Sequence, residues 1–228
     1  MKSALMALIA FAICAQAQTQ TFTDSRDGKN YKTVKIGSQM WMAENLNYEA
    51  EGSVCYKNSD SNCDTYGRLY NWETAMKACP YGWHLPSDEE WQTLVDFAGG
   101  GGIAGTKLRA KKGWPVYDFS GTSLKAPKCK RTERKGEEID DRGRIITPAM
   151  VVEHDKCATD EYGFSALPGG SGHSGGYFFY VGTSGTWWSS SEYSSYIAYR
   201  RGILDYNSNV GRYAYNKAGM FSVRCVQD

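Results

Sequence analysis

Two short segments that each carry one cysteine constrain the fold of this chain more than any other feature. Residues 79–91 read CPYGWHLPSDEEW, and residues 221–225 read FSVRC. The first segment predicts the end of one helix, a turn at Pro80 and the start of a second helix, and the second predicts a last β-strand. A bond between Cys79 and Cys225 would tie the middle of the chain to its final strand.

Residues 87–98 carry the clearest helix pattern. Ser87 suits the N-cap, and Glu90, three residues later, completes a capping box. Apolar side chains then recur at helical spacing, at Trp91, Leu94, Val95 and Ala98. The pattern predicts a helix with one buried face, which the glycines at 99–102 end.

The N-terminus has the features of a secretory signal peptide at residues 1–17. Lys2 supplies the positive start, residues 4–15 are apolar, and residues 15–17 read Ala-Gln-Ala, a small-x-small cleavage pattern. We expect cleavage before Gln18 and a secreted or cell-surface protein. A lipid anchor at Cys14 is the less favoured alternative because Ile13 precedes it where a small residue is expected. No later segment is apolar enough to predict a membrane span.

The charge balance bears on two classes of partner, nucleic acids and membrane surfaces. The chain has 26 basic and 25 acidic residues, a formal net charge of +1. A balance this close to zero gives no electrostatic reason to expect nucleic acid or a membrane surface as a partner.

Six cysteines remain after the signal peptide, and an even number in an exported chain indicates disulfides. Fifteen pairings are possible. We favour Cys55–Cys63, which closes a small polar loop, Cys79–Cys225, and Cys129–Cys157, which would close a segment dense in both signs of charge. A zinc site is the rejected alternative, because no Cys-x-x-Cys pair occurs and the spacings are irregular.

The remaining pattern is of few helices and many short strands, which indicates an α+β fold. Residues 21–42 predict a β-meander with a turn at Asp27-Gly28. Residues 45–67 are loop-like, and 69–78 predict a helix. The later strand candidates are residues 177–181, 187–190, 197–204, 210–215 and 220–226.

Four blocks of sequence together resemble a known family. They are GSQMWMAENLNY at 37–48, YGRLYNWETAMKACPYGWHLPSDEEW at 66–91, DEYGFSALPGG at 160–170, and the stretch from WWSSSE at 187–192 to FSVRCVQD at 221–228. In this order they resemble the Fibrobacter succinogenes major paralogous domain over most of residues 21–228. The charged segment at about 120–158 is longer than that family leads us to expect, so we interpret it as an insertion in a single domain spanning 18–228.

The resemblance implies a C-type-lectin-like fold, in the variant shared with formylglycine-generating (sulfatase-modifying) proteins. That fold has two main helices, short and mostly antiparallel strands, and long loops. It also supports the Cys79–Cys225 pairing, since such folds commonly tie a helix end to the last strand. The family brings no established activity with it, so function stays open.

Motifs for catalysis or metal binding are weak. GHSGG at 172–176 matches a nucleophile elbow, but a strand-like segment follows it and no histidine lies after Ser174. The stretch at 194–209 lacks the reactive cysteines that a formylglycine-generating oxidase would need for copper. His84, in the turn before the capped helix, we interpret as a structural histidine. We therefore expect no catalytic residues, no metal and no cofactor.

The best binding candidate is a stretch rich in Tyr, Arg and Asn near the C-terminus, because rings can stack on a ligand and Arg and Asn can donate hydrogen bonds. The proposed ligand-binding residues are Tyr199, Arg200, Arg201, Tyr206, Asn207, Asn209, Arg212 and Tyr213. Strand alternation puts Tyr199 and Arg201 on one side and Arg200 on the other. Cross-strand pairs that only stabilise an exposed sheet explain the same composition, and the pattern favours that explanation.

The sequence thus predicts a non-catalytic binding or display module at the bacterial surface, with a polysaccharide or a protein as partner. Two alternatives stay open at this point. One is an enzyme of unrecognised type, distantly related to formylglycine-generating proteins, and the other is a purely structural envelope protein.

Overall fold

The computed structural model describes residues 19–117, the short strands at 123–124, 138–139 and 145–147, and residues 158–228. The predicted signal peptide at 1–17, with Cys14, lies outside the described residues. The predicted Cys129–Cys157 pair and most of the charged segment at 120–158 also lie outside them.

The described part of the chain is a mixed α+β structure, with many strands and few helices. The strands are β1 (Thr19–Thr23), β2 (Asn30–Ile36), β3 (Gln39–Met42), β4 (Ser53–Val54), β5 (Leu69–Tyr70), β6 (Trp83–His84), β7 (Val116–Tyr117), β8 (Ser123–Leu124), β9 (Glu138–Ile139), β10 (Ile145–Thr147), β11 (Ser171–His173), β12 (Tyr177–Phe179), β13 (Ser184–Ser194), β14 (Ile197–Leu204), β15 (Gly211–Asn216), β16 (Gly219–Ser222) and β17 (Val226–Gln227). The helices are α1 (Asp60–Tyr66), α2 (Trp72–Ala78), α3 (Asp88–Phe97) and α4 (Ala104–Leu108). None of the helices in these described ranges is long and apolar enough to cross a membrane.

The first sheet has the strand order β1-β2-β3-β17-β6. Its first three strands form the predicted meander, with Gly28 at a positive φ of 74° in the first turn. The last strand of the chain lies in the middle of this sheet, because Val226 pairs with Trp41 on one side and His84 on the other.

The second sheet has the strand order β12-β11-β16-β13-β14-β15. Strand β5 also pairs with β16, and β4 pairs with β5, so both belong to this sheet. All of its pairings are antiparallel except β13 with β16, where Trp187 lies opposite Ser222. Residues 220–226, predicted as one strand, are two: β16 lies in this sheet and β17 in the first. The chain end therefore joins the two sheets.

One local prediction was wrong, and another was confirmed except for its first residues. Residues 45–67 contain α1, whose Cys63 is tied to Cys55, rather than loop alone. The helix predicted at 69–78 begins only at Trp72, with Asn71 as its N-cap, because Leu69 and Tyr70 pair with β16 instead. Within residues 19–117 and 158–228 the structure thus has four α-helices, where two main ones were expected.

The capped helix is confirmed as α3. The side chain of Ser87 accepts a hydrogen bond from the Glu90 amide, and the Glu90 carboxylate accepts one from the Ser87 amide. Its apolar face packs into a core cluster in which the ring centroids of Trp41 and Trp91 are 4.9 Å apart.

The disulfides Cys55–Cys63 and Cys79–Cys225 are both confirmed. Cys79 is the residue that ends α2, and Cys225 is fully buried just before β17. This second bond closes 146 residues and fastens a helix end to the segment that joins the sheets.

Arg224, which is fully buried, also holds the segment between β16 and β17 in place. Nη2 of Arg224 donates to the side-chain oxygen of Asn45 at 2.8 Å, and the Trp187 indole donates to that oxygen at 2.8 Å. A further nitrogen of Arg224 donates to the backbone oxygen of Phe164. Burial lowers the pKa of Arg224 to about 9, so its guanidinium still carries a charge at neutral pH. Asn45 is therefore the shared acceptor of a charged, fully buried network.

We predict that Asn45→Ala destabilises the oxidised protein strongly. The substitution removes the acceptor of Arg224 and Trp187 and leaves buried donors unpaired, which costs about 3–5 kcal/mol in free energy of unfolding. Urea denaturation measures the loss. Asn47→Ala is the matched control, since Asn47 is only half-buried and lies outside the network. Equal losses in the two variants would contradict the role of Asn45.

Candidate functional site

The eight residues proposed from the sequence lie in three different places. Tyr199, Arg201 and Arg212 face α3, Arg200 and Tyr213 lie on the opposite face of the β14–β15 hairpin, and Tyr206, Asn207 and Asn209 lie in the turn between the two strands. The structure therefore does not bring all eight together in one site.

The face toward α3 is organised by one carboxylate. Arg201 is only 2% exposed, and its Nε and Nη2 donate to Oδ1 of Asp88 at 3.0 and 2.6 Å. Arg212 donates to the other oxygen of Asp88 at 2.6 Å. Asp88 lies at the start of α3, so these bonds fasten the helix to the sheet.

Aromatic rings continue this arrangement outward. The Arg212 guanidinium lies 3.7 Å from the ring centroid of Tyr199, and Tyr193 meets Tyr199 edge to face at 5.5 Å. The cations of this face already have partners, as expected for cross-strand pairs that stabilise a sheet.

The turn residues also have local roles. The side-chain oxygen of Asn207 accepts a hydrogen bond from the Asn209 amide, and the Ser208 backbone oxygen accepts one from Thr106 in α4. Tyr206 is exposed. Asn207 and Asn209 thus shape the turn, and the Ser208 backbone anchors it to α4.

The opposite face of the hairpin has a different character, and we call its four central residues the Arg200 platform: Arg200, Tyr213, Tyr215 and Phe221. The Arg200 guanidinium carbon lies 4.8 Å from the ring centroid of Tyr213, 5.4 Å from that of Tyr215 and 5.0 Å from that of Phe221. Both tyrosines are 39% exposed, whereas Phe221 is buried beneath them. The platform is therefore a partly exposed cation among aromatic rings.

Glycines seat the two tyrosine rings against the backbone. A β-carbon at Gly211 would overlap the Tyr213 ring, and one at Gly219 would come within 2.7 Å of Tyr215 Cδ1. In the β11–β16 ladder His173 lies opposite Gly219, which puts this exposed histidine on the same side as Tyr215. The eight residues proposed from the sequence did not include Tyr215, Phe221 or these glycines. Phe221 meets Arg200 only because β16 packs against the hairpin.

The charge of Arg200 is unpaired within the described part of the chain. Its buried Nε has no hydrogen-bond partner there. Burial lowers the pKa of Arg200, and the opposing charge effects come only from the phenols of Tyr213 and Tyr215. Arg200 thus differs from Arg201 and Arg212, which share Asp88.

A cleft of about 230 Å³ lies elsewhere on the molecule. Its lining includes Lys29, Asn30, Glu44, Asn47, Asp64 and Tyr66. The Lys29 ammonium donates to the Asn47 backbone oxygen at 2.6 Å and pairs with Asp27 at 3.1 Å. The cleft therefore offers carboxylates and amides, and its cation already has partners.

The nucleophile-elbow motif and the possible metal ligands were the other candidates from the sequence. GHSGG forms the end of β11 and the turn into β12, so Ser174 lies in a β-hairpin and not between a strand and a helix. No group of three or more His, Cys, Asp or Glu side chains that could hold a metal ion occurs within residues 19–117 and 158–228.

His84 bridges two carboxylates at the end of the first sheet. Its Nδ1 lies 2.6 Å from Asp228 Oδ1, and its Nε2 lies 2.9 Å from Glu90 Oε1. Burial acts to lower the pKa of His84, but these two hydrogen bonds and the charges behind them outweigh it and raise that pKa.

Comparison with known proteins agrees with the resemblance of the four blocks. The family model described as the Fibrobacter succinogenes major domain matches residues 34–227. No curated protein and no solved structure gives a significant match.

We predict that Asp88 matters for stability far more than the exposed arginine it binds. Asp88→Ala leaves Arg201 buried without its counter-charge, which costs about 3–5 kcal/mol in free energy of unfolding. Arg212→Gln, at a side chain that is 48% exposed, costs about 1 kcal/mol or less. Urea denaturation of both variants tests this, and an Arg212→Gln loss as large as that of Asp88→Ala would contradict it.

The raised pKa of His84 predicts a pH-dependent stability. Because the pKa is higher in the folded state, the protonated His84 stabilises the fold fully below its unfolded pKa of about 6.5. That contribution is lost as the pH rises through the folded pKa. Denaturation midpoints at a series of pH values, compared with those of His84→Gln, isolate this contribution. Identical pH profiles for the two proteins would contradict it.

Proposed function

The chain belongs to the Fibrobacter succinogenes major domain family, and from that premise we propose that it is an exported, non-catalytic recognition module that binds a polysaccharide. In this proposal the chain has a single C-type-lectin-like domain at residues 18–228. The ligand-binding surface is the Arg200 platform, not the whole set of eight residues expected from the sequence.

One observation carries this proposal, namely the exposed rings of Tyr213 and Tyr215 beside the cation of Arg200, which has no ion-pair partner among the described residues. Aromatic rings held in place lose little conformational entropy when they contact a ligand. A guanidinium nearby supplies hydrogen-bond donors in a fixed planar arrangement. Rings together with fixed donors suit the apolar face and the oxygen atoms of a sugar unit.

The comparison of the two hairpin faces supports the choice of surface. On the α3 face the arginines bind Asp88 and hold the fold together. On the platform face Arg200 has rings around it but no acceptor among the described residues. A half-buried guanidinium is costly to leave without an acceptor, and Arg200 forms no ion pair with the described residues. These properties favour Arg200 as a ligand-binding group.

Two disulfides support export, because such bonds persist in oxidising compartments. The bond from the end of α2 to the segment before β17 also supports the C-type-lectin-like assignment, for which a helix end tied to the last strand is the expectation. The signal peptide at 1–17 completes this part of the proposal.

The test is binding of the purified oxidised protein to a panel of neutral and acidic polysaccharides, by affinity electrophoresis. Tyr213→Ala/Tyr215→Ala is expected to weaken binding about tenfold, since each ring contact contributes about 0.5–1.5 kcal/mol.

The matched control is Tyr81→Ala/Tyr193→Ala, which removes two exposed tyrosines away from the platform. Equal weakening of polysaccharide binding in both double variants would show that the binding surface is not the Arg200 platform. Capture of a protein partner together with no binding to any polysaccharide would reject the proposed ligand class.

A further inference from the structure

We propose that the platform selects acidic polysaccharides, with the carboxylate of a uronate unit bound by Arg200. This rests on the proposed polysaccharide recognition and names the class of ligand. The occupant follows from three properties of the platform: an isolated positive charge, its partial removal from water, and rings on its sides.

The isolation of the charge is specific to Arg200. The three arginines Arg200, Arg201 and Arg212 lie in one hairpin, and the last two share the carboxylate of Asp88. Arg200 alone is directed to the other face, where the charge effects on its guanidinium come from the phenols of Tyr213 and Tyr215. No carboxylate of the described residues acts on its charge there.

Partial burial makes that charge a strong binding group. A cation that has left water is costly unless rings or an anion compensate for it. The three rings compensate in part through cation–π attraction. A ligand carboxylate would add charge-assisted hydrogen bonds, which are stronger than those to a neutral hydroxyl and are often bidentate to arginine.

The rest of the molecule contributes little to this attraction. The formal net charge of the chain is +1, so no broad positive field draws acidic polymers to it. Selection would therefore depend on this one residue. Added salt should weaken the preference for an acidic polymer by the amount expected when one charged residue provides the attraction.

A carboxylate ligand also uses the rings better than a small anion does. The tyrosine rings lie against Gly211 and Gly219, so they are held in place near the guanidinium. A uronate presents its carboxylate directly on a sugar ring, and the ring can contact Tyr213 or Tyr215 while the carboxylate binds Arg200. A free inorganic anion would leave the rings unused.

The experiment uses the full oxidised chain and three acidic polymers: polygalacturonate, alginate and glucuronoxylan. Each is compared with its own carboxyl-reduced form, in which the carboxylate has become an alcohol. We expect at least one acidic polymer to bind about tenfold or more tighter than its reduced form at low salt. Arg200→Gln should abolish that ratio.

Arg212→Gln is the matched control, because it removes the same charge from the opposite face of the same hairpin and should leave the ratio unchanged. The comparison of acidic and reduced polymers in the unaltered protein needs no variant, so it decides the question even if Arg200→Gln does not fold.

The outcomes separate the two proposals. Equal binding of acidic and reduced forms, still lost in Tyr213→Ala/Tyr215→Ala, overturns the selection of carboxylates and leaves polysaccharide recognition standing. A ratio that survives Arg200→Gln assigns the carboxylate to another residue and also overturns this inference. Absence of binding to every acidic, reduced and neutral polymer rejects both proposals.

Discussion

The structure depends on how the last few residues of the chain are held. Residues 223–225 lie between β16 in the second sheet and β17 in the first, so they alone connect those two strands. The Cys225 disulfide fastens them to the end of α2, and Arg224 fastens them to Asn45 and Phe164. Phe221, the buried ring of the Arg200 platform, lies in β16. The bonds that hold residues 223–225 therefore also fix the position of this ring.

The two faces of the β14–β15 hairpin have different roles. On one face, Asp88 satisfies two arginines and fixes α3, which removes those arginines from any role that needs a free charge. On the other face, glycines let two tyrosines lie close to the backbone and leave Arg200 between rings. Strand alternation is the physical cause, since neighbouring residues such as Arg200 and Arg201 must point in opposite directions.

Local signals in the sequence were enough for part of this result. The capping box at Ser87, the meander turn at Gly28 and the exact extent of β14 depend on neighbouring residues, and all were predicted. The Cys79–Cys225 bond was among fifteen pairings, and resemblance to the family supported it. In contrast, the strand at Leu69–Tyr70 forms because β16 and β4 pair with it, and α1 forms in a polar segment closed by a disulfide. The platform could not be predicted, because Phe221 reaches Arg200, and Gly219 reaches Tyr215, through packing between β16 and the hairpin.

The position of the second disulfide has a mechanical consequence. A pulling force applied between residues 19 and 228 would pass through the Cys79–Cys225 bond, and the 146-residue loop that it closes would bear no load. At about 3.5 Å per extended residue, roughly 500 Å of chain is thereby withheld from stretching. Only the meander side of the fold, up to Cys79, could unravel under tension. The β14–β15 hairpin with its two tyrosines lies inside that loop and would keep its shape while the chain is pulled.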